Sequence, residues 1–258
     1  MRSYVLTERE NLDQDRNLVG YEKYELLNAW HGDGVDGYIK FGNYNPTSLE
    51  QNVFAETIVK IGSSYPTASS ALWTIDPSFY TMVESNGQIS FGRLGTGNLR
   101  SRIYTPSTSL VPLNATTAIQ FSYDASIYAS TNSITDAMKV YFNGIEQTTN
   151  VVQDDMESLP PWSHMAYLGI YYTATHFPSQ IKIARGSFKV GGDLPSAQDL
   201  LDLSDLTVDP ITVYSPDILV DMTNPLTDLT STTGIVIDEI AGEDGTPTNT
   251  SASELVVF

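Results

Sequence analysis

Residues 138–149 constrain this chain more than any other stretch. Met138-Lys139-Val140-Tyr141-Phe142 alternates apolar and polar side chains, Asn143-Gly144 follows at once, and Ile145-Glu146-Gln147-Thr148-Thr149 returns. Asn and Gly both tolerate the positive φ that a type I′ turn demands, and that turn matches the right-handed twist of paired strands. The spacing predicts an antiparallel hairpin with Met138, Val140 and Phe142 on its buried face. A sheet with one apolar face has to cover it with another layer.

Similar segments recur on both sides of the hairpin. Over 54–61, Phe54, Glu56, Ile58 and Lys60 interleave with Ala55, Thr57, Val59 and Ile61, which predicts a strand with one face largely buried. Strands are also expected at 37–41, 71–75, 80–83, 88–92, 99–104, 118–123, 165–172, 180–184, 186–190, 218–221, 234–240 and 254–258. Gly, Pro, Ser, Thr and Asn fill the gaps, as in sandwiches and barrels. Ser196 can cap a helix, with Asp199 three positions later and Leu200, Leu201 and Leu203 as its apolar side. A second helix is a candidate over 22–29. No repeat of 20–50 residues is present, which excludes solenoids and propellers. The expected fold is all-β, a two-sheet antiparallel jelly-roll sandwich with one short helix. Residues 1–25 read as an N-terminal arm and 26–258 as the β-sandwich domain, with strands in 211–258 packing on or completing it. The apolar end of the tail is expected to pair as a strand.

Totals narrow the function. The 258 residues suffice to bury roughly 70–75% of the unfolded surface without crosslinks. There are no cysteines, which excludes a disulfide scaffold, a thiolate zinc site and a thiol nucleophile. Thirteen basic against 31 acidic residues leave a net charge of −18 with no basic cluster, so nucleic acid and anionic membranes are poor partners. The first ten residues lack an apolar core and a cleavage site, so no signal peptide is expected, and no apolar run reaches the roughly 20 residues of a membrane span.

The segment Trp30-His31-Gly32-Asp33-Gly34-Val35-Asp36-Gly37-Tyr38-Ile39 resembles the opening strand of laminin G-like domains, within the concanavalin A-like lectin and glucanase fold. The strand 54–61 resembles that family's second strand. Val140-Tyr141-Phe142-Asn143-Gly144 resembles its recurrent hairpin, and 167–170, 181–184 and 196–203 resemble its closing strands and final helix. The resemblance covers roughly residues 28–206. Residues 217–221 and 242–246 resemble opening strands displaced to the C-terminus, so the chain is rearranged relative to the common order. The resemblance implies a concanavalin A-like sandwich and, because phage structural proteins use this fold, a virion component. Its partners would be further copies of itself or other virion proteins.

Candidate sites follow from side-chain chemistry. Asp33 and Asp36 lie three apart in a Gly-rich turn and, with Asp154 and Asp155 from another segment, could serve calcium, which takes six to eight oxygens at about 2.3–2.6 Å. The alternative is that such Asp residues make turn hydrogen bonds at a loop. No EF-hand pattern exists, and no cofactor is required. His31, His164 and His176 show no ligand spacing. A retaining glycosidase needs two carboxyls about 5–5.5 Å apart, and no strand here offers them: Glu56 is followed on its face by Ile58 and Lys60. No Gly-x-Ser-x-Gly elbow is present. Sugar binding without catalysis needs an aromatic platform with a few polar groups, and 15 tyrosines and three tryptophans supply rings. Trp162, Tyr171, Tyr172 and His176, in loop-like contexts, are the candidate ligand-binding residues. The expected function is therefore non-enzymatic. A virion structural, decoration or fibre-associated protein comes first, a stand-alone glycan-binding module that meets a host-surface glycan second, and a polysaccharide hydrolase or lyase third.

Overall fold

The computed structural model describes residues 28–43, 51–76, 78–94, 100–155, 165–170, 178, 180–205, 208–222, 227–231, 233–236, 238–240 and 244–258. In chain order the elements are β1 (Asn28–His31), β2 (Tyr38–Asn43), β3 (Val53–Ile61), β4 (Ser70–Asp76), β5 (Phe79–Val83), β6 (Ile89–Leu94), β7 (Arg100–Tyr104) and β8 (Thr116–Tyr123). Next come α1 (Ala125–Thr131), β9 (Met138–Phe142), β10 (Ile145–Glu146), β11 (Asn150–Asp154), β12 (Met165–Leu168), β13 (Ile181–Val190), α2 (Ala197–Ser204) and α3 (Ile211–Tyr214). β14 (Ile218–Asp221), β15 (Thr246–Thr248), a 3-10 turn at Ala252–Glu254 and β16 (Leu255–Val257) complete the chain.

The strands form two antiparallel sheets. Sheet I runs β10-β9-β8-β3-β13-β1-β16, with β14 also beside β13; sheet II runs β11-β7-β6-β5-β4-β12-β2-β15. The C-terminal strands complete both sheets: β14 pairs with β13, β15 with β2 and β16 with β1. The fold is the expected two-sheet antiparallel sandwich. Among the described residues no helix is long and apolar enough to cross a membrane.

Period-two alternation places the core between the sheets. A file of rings threads it: Phe41 meets Trp73 at 5.7 Å, Trp73 meets Phe188 at 5.9 Å, and Phe79 meets Phe188 at 5.7 Å. Phe79 then meets Phe91 at 5.2 Å, and Phe91 meets Phe121 at 5.7 Å. Trp73 reaches across from sheet II because its indole Nε1 donates to the Glu56 carbonyl of β3 at 2.9 Å. The approach requires Gly186, where an added Cβ would lie 2.9 Å from the indole. Arg93 is also wholly buried, its guanidinium 4.2 Å above the Tyr123 ring, and burial lowers its pKa to about 10.

The central hairpin forms as its sequence dictates, with Asn143 and Gly144 at φ 49° and 76°. Its return strand spans only Ile145–Glu146 rather than 145–149. The chain leaves sheet I there, because β11 pairs with β7 at the edge of sheet II. Several other expectations are corrected. The strands expected at 180–184 and 186–190 are one strand, β13, whose register shifts between Ile183 and Arg185. The strand expected at 234–240 is reduced to isolated bridges at Val236 and Asp238. There the Asp238 carboxylate takes the Leu219 and Ile240 amides at 3.0 and 3.1 Å, a side chain standing where a ladder carbonyl would stand. Ala29, assigned to the candidate helix over 22–29, lies in β1; residues 22–27 and the arm 1–25 lie outside the described residues. One short helix was expected in the sandwich, and three α-helices form among the described residues. Ser196 caps α2 in a full capping box with Asp199, as expected. Helix α1 depends on Asp124, whose Oδ1 accepts from the Ser126 and Ile127 amides at 2.8 and 3.3 Å.

Candidate ligand-binding face

The two sandwich layers turn very different outer faces to their surroundings. On sheet I, alternation sends Phe54, Glu56, Arg185, Ser187 and Lys189 outward, yet Glu56 and Arg185 are wholly buried. α2 and α3 lie over them. Arg185 Nη2 donates to Glu56 Oε1 at 3.0 Å and to the Leu203 carbonyl at 2.9 Å, and Nη1 donates to the Val208 carbonyl at 3.1 Å. Ser187 Oγ donates to Glu56 Oε2 at 3.2 Å, and the Tyr214 hydroxyl bonds Ser187 Oγ at 2.5 Å. Burial raises the Tyr214 pKa well above the usual tyrosine value. This network ties the helical segment to the sheet, and no ligand can reach it.

On sheet II the outward positions follow from the cross-strand register. Thr246 pairs with Lys40, Thr248 with Tyr38, and Lys40 with Tyr167, so these five side chains share one face of β15, β2 and β12. Alternate residues Ile39 and Phe41 point into the core. Tyr38 and Tyr167 are half-buried and meet edge to face at 5.9 Å, while Lys40 and Thr246 are exposed. The register continues through Thr74, Tyr80 and Gly92 to Arg102. Tyr80 lies flat across Gly92, where an added Cβ would sit 2.1 Å from the ring. At the far end, the Arg102 guanidinium stacks 4.6 Å from the Tyr104 ring. The centre of the face, at Ala71, Thr74, Tyr80, Met82 and Ser90, is buried, so the side chains open to a ligand are at its flanks.

This geometry provides two rings, four hydroxyls and an ammonium held on adjacent strands about 4.8 Å apart. The groups on β2 and β12 are fixed by a ladder on both sides and those on the edge strand β15 by one, which suits recognition of a rigid polyhydroxylated ring. None of the five is a carboxylate, so the platform holds neither the acid nor the nucleophile of glycosidic cleavage.

The expected calcium ligands are not brought together. Asp33 and Asp36 are exposed just before β2, and Asp33 Oδ1 accepts the Val35 and Asp36 amides at 2.8 and 3.4 Å, a turn bond of the ordinary kind. Asp154 ends β11, six strand positions away across sheet II, roughly 29 Å at the usual spacing. Both its oxygens are taken: Ser101 Oγ donates at 2.7 Å, Thr135 Oγ1 at 3.0 Å and Ser133 Oγ at 3.3 Å. Asp155 accepts from Gln153 Nε2 at 2.9 Å. Among the described residues no group of three or more His, Asp or Glu is placed to hold a metal. Trp162, Tyr171, Tyr172 and His176 lie outside the described residues. Sequence reasoning missed Tyr38 and Tyr167, although the alternation around Ile39 and Phe41 already marked Tyr38 as outward-facing.

No protein-family model matches the sequence, and no curated protein does. Solved structures do match in shape. A candidate carbohydrate-binding protein from Bacteroides ovatus superposes with a TM-score of 0.57 at 14% identity, over 90% of this chain and 59% of that one. The likeness is one of fold. This chain thus spans about three-fifths of that protein's length. The CBM40 module of a Ruminococcus gnavus sialidase, bound to α2,3-sialyllactose, gives 0.39 at 14% identity over 69% of this chain and 98% of the module. A heptameric SAP-like pentraxin from Limulus polyphemus gives 0.40 at 12% identity over 69% of this chain and 81% of that one. The Bacteroides match shows a shared β-sandwich fold; the other two, at these scores, add nothing to that.

Proposed function

We propose that this chain is a non-catalytic glycan-binding module and that its platform is the outer face of sheet II at β15, β2 and β12. The observation that carries the reading is the Tyr38–Tyr167 pair set among Lys40, Thr246 and Thr248 on three hydrogen-bonded strands. Tyrosine rings supply the apolar surface on which a sugar's C–H face packs, and the hydroxyls and ammonium address its edge. The Bacteroides protein of the same fold, itself a candidate carbohydrate binder, supports the assignment. Trp162 precedes β12 by three positions, and Tyr171, Tyr172 and His176 follow it within eight; they are proposed as further contacts to the same ligand. The virion role that the family resemblance put first rests on that resemblance alone, whereas the platform favours sugar binding directly.

The test is a glycan array followed by calorimetry on the hits, with and without calcium. Binding is expected in both conditions, and Tyr38→Ala and Tyr167→Ala are each expected to weaken it about tenfold or more, close to 1.4 kcal/mol, with folding retained. An empty array in both conditions overturns the reading.

A further inference from the structure

The outward row that carries the sugar platform has a charge bias opposite to that of the chain. It takes one residue from each of the eight strands of sheet II, running from Thr246 and Lys40 through Tyr167 and Tyr80 to Arg102 and Gln153. The row holds two cations and no carboxylate, in a chain with 31 acidic residues against 13 basic ones. The Arg102 guanidinium is already stacked on Tyr104.

Lys40 is different. Five lysines lie among the described residues, and the other four are engaged. Lys139 Nζ donates to Glu146 Oε2 at 2.9 Å, Lys182 Nζ to the Val257 carbonyl at 2.7 Å and Lys189 Nζ to the Tyr214 carbonyl at 2.8 Å. Lys60 Nζ lies 6.0 Å over the Phe258 ring. Lys40 makes no hydrogen bond or ion pair with any described residue. It is exposed and stands directly opposite Tyr167 on β12 and Thr246 on β15. Opposed side chains on neighbouring strands have Cβ atoms about 4.5–5.5 Å apart, so the Lys40 ammonium and the exposed Thr246 hydroxyl can donate to one acceptor group. Hydrogen bonds with an ionised partner are roughly twice as strong as neutral ones, so a carboxylate or sulfate gains more at this corner than a neutral hydroxyl does. The net charge of −18 acts against an anion at long range. Beyond about 8 Å it is largely screened at physiological ionic strength, which leaves the contact with Lys40 to decide.

We propose that the platform selects acidic glycans, with a sugar carboxylate or sulfate ester seated on the Lys40 ammonium and the Thr246 hydroxyl while the ring packs on Tyr38 and Tyr167. The proposal rests on the reading of this face as a glycan platform and adds the class of sugar that it takes.

The experiment is an array of uronic-acid-containing and O-sulfated glycans printed beside their neutral counterparts, made by carboxyl reduction and by desulfation. Calorimetry then follows on each matched pair at physiological ionic strength. The acidic member is expected to bind about fivefold tighter or more. Lys40→Gln is expected to bring that ratio to about one, and Lys40→Arg to keep most of it. Preference confined to the carboxylated pairs assigns a uronate as the ligand, and preference confined to the sulfated pairs assigns a sulfate ester. Equal binding of acidic and neutral members, or a ratio unchanged in Lys40→Gln, overturns the proposal; where Tyr38→Ala still weakens those glycans, the platform itself stands. An array with no hits removes both.

Discussion

On sheet I, the outward positions Glu56, Arg185 and Ser187 lie beneath α2 and α3 and hold them down; on sheet II, the outward positions Tyr38, Lys40 and Tyr167 keep open surface. Both sets arise from the same alternation along a strand. A charged residue at an outward position is therefore no sign of solvent. What separates the faces is whether later chain segments return over them, and the helical segment between β13 and β14 returns over sheet I. Charge buried in this way is tolerated because the guanidinium is paired: Arg185 meets one carboxylate and two carbonyls.

The sharpest way to break the contrast is Arg185→Ala. It leaves Glu56 buried without its partner, and a loss of about 3–5 kcal/mol is expected from chemical denaturation. A loss below about 1 kcal/mol would show that the helices are held by Phe54, Leu200 and Leu203 alone. Gly92→Ala probes sheet II. Its Cβ would meet the Tyr80 ring at 2.1 Å, so the ring has to move. The expected cost is about 1–3 kcal/mol, read as a fall in Tm, and an unchanged Tm would mean Tyr80 does not lie across the sheet.

Asp124→Ala removes the α1 cap on the sheet I side and is expected to cost about 1 kcal/mol at neutral pH. Partial burial pushes the Asp124 carboxyl up, but hydrogen bonds from Ser126 and Ile127 and the charge of Lys139 outweigh it and leave the pKa lowered. Stability from a lowered carboxyl is present above its unfolded value and is lost as pH falls through the folded value. The gap between wild type and variant should therefore narrow in acid, and a gap that widens would contradict the capping geometry. The smallest effect is expected at the sheet II rim. Asp33→Asn, or a chelator added to the wild type, should change stability by no more than about 0.5 kcal/mol, because Asn can keep the turn bond to the Val35 amide. A large chelator-dependent drop in Tm would place a metal at this end of the sandwich.

Most strands are legible in the amino-acid sequence, because a half-buried strand writes its inward face into every second residue. The Asn143-Gly144 turn is equally plain, since few pairs accept positive φ at both positions. Helix α1 is hidden because residues 125–131 are rich in Ser, Thr and other indifferent helix formers, and its formation rests on one capping carboxylate. The strand expected at 234–240 fails because the Asp238 side chain competes with the backbone for amides, a choice no periodicity records. Of the binding face, only the outward direction of Tyr38 is written in the local pattern.

The sequence by itself determined that this protein is a two-sheet sandwich, since alternation and turn chemistry are local and act within a few residues. Tertiary structure alone decided which outward side chains are covered and which stay open, and that Tyr38, Tyr167, Thr246 and Thr248 stand together. Those residues are as much as 210 positions apart in the chain, and only the pairing order of β15, β2 and β12 brings them within reach of one ligand.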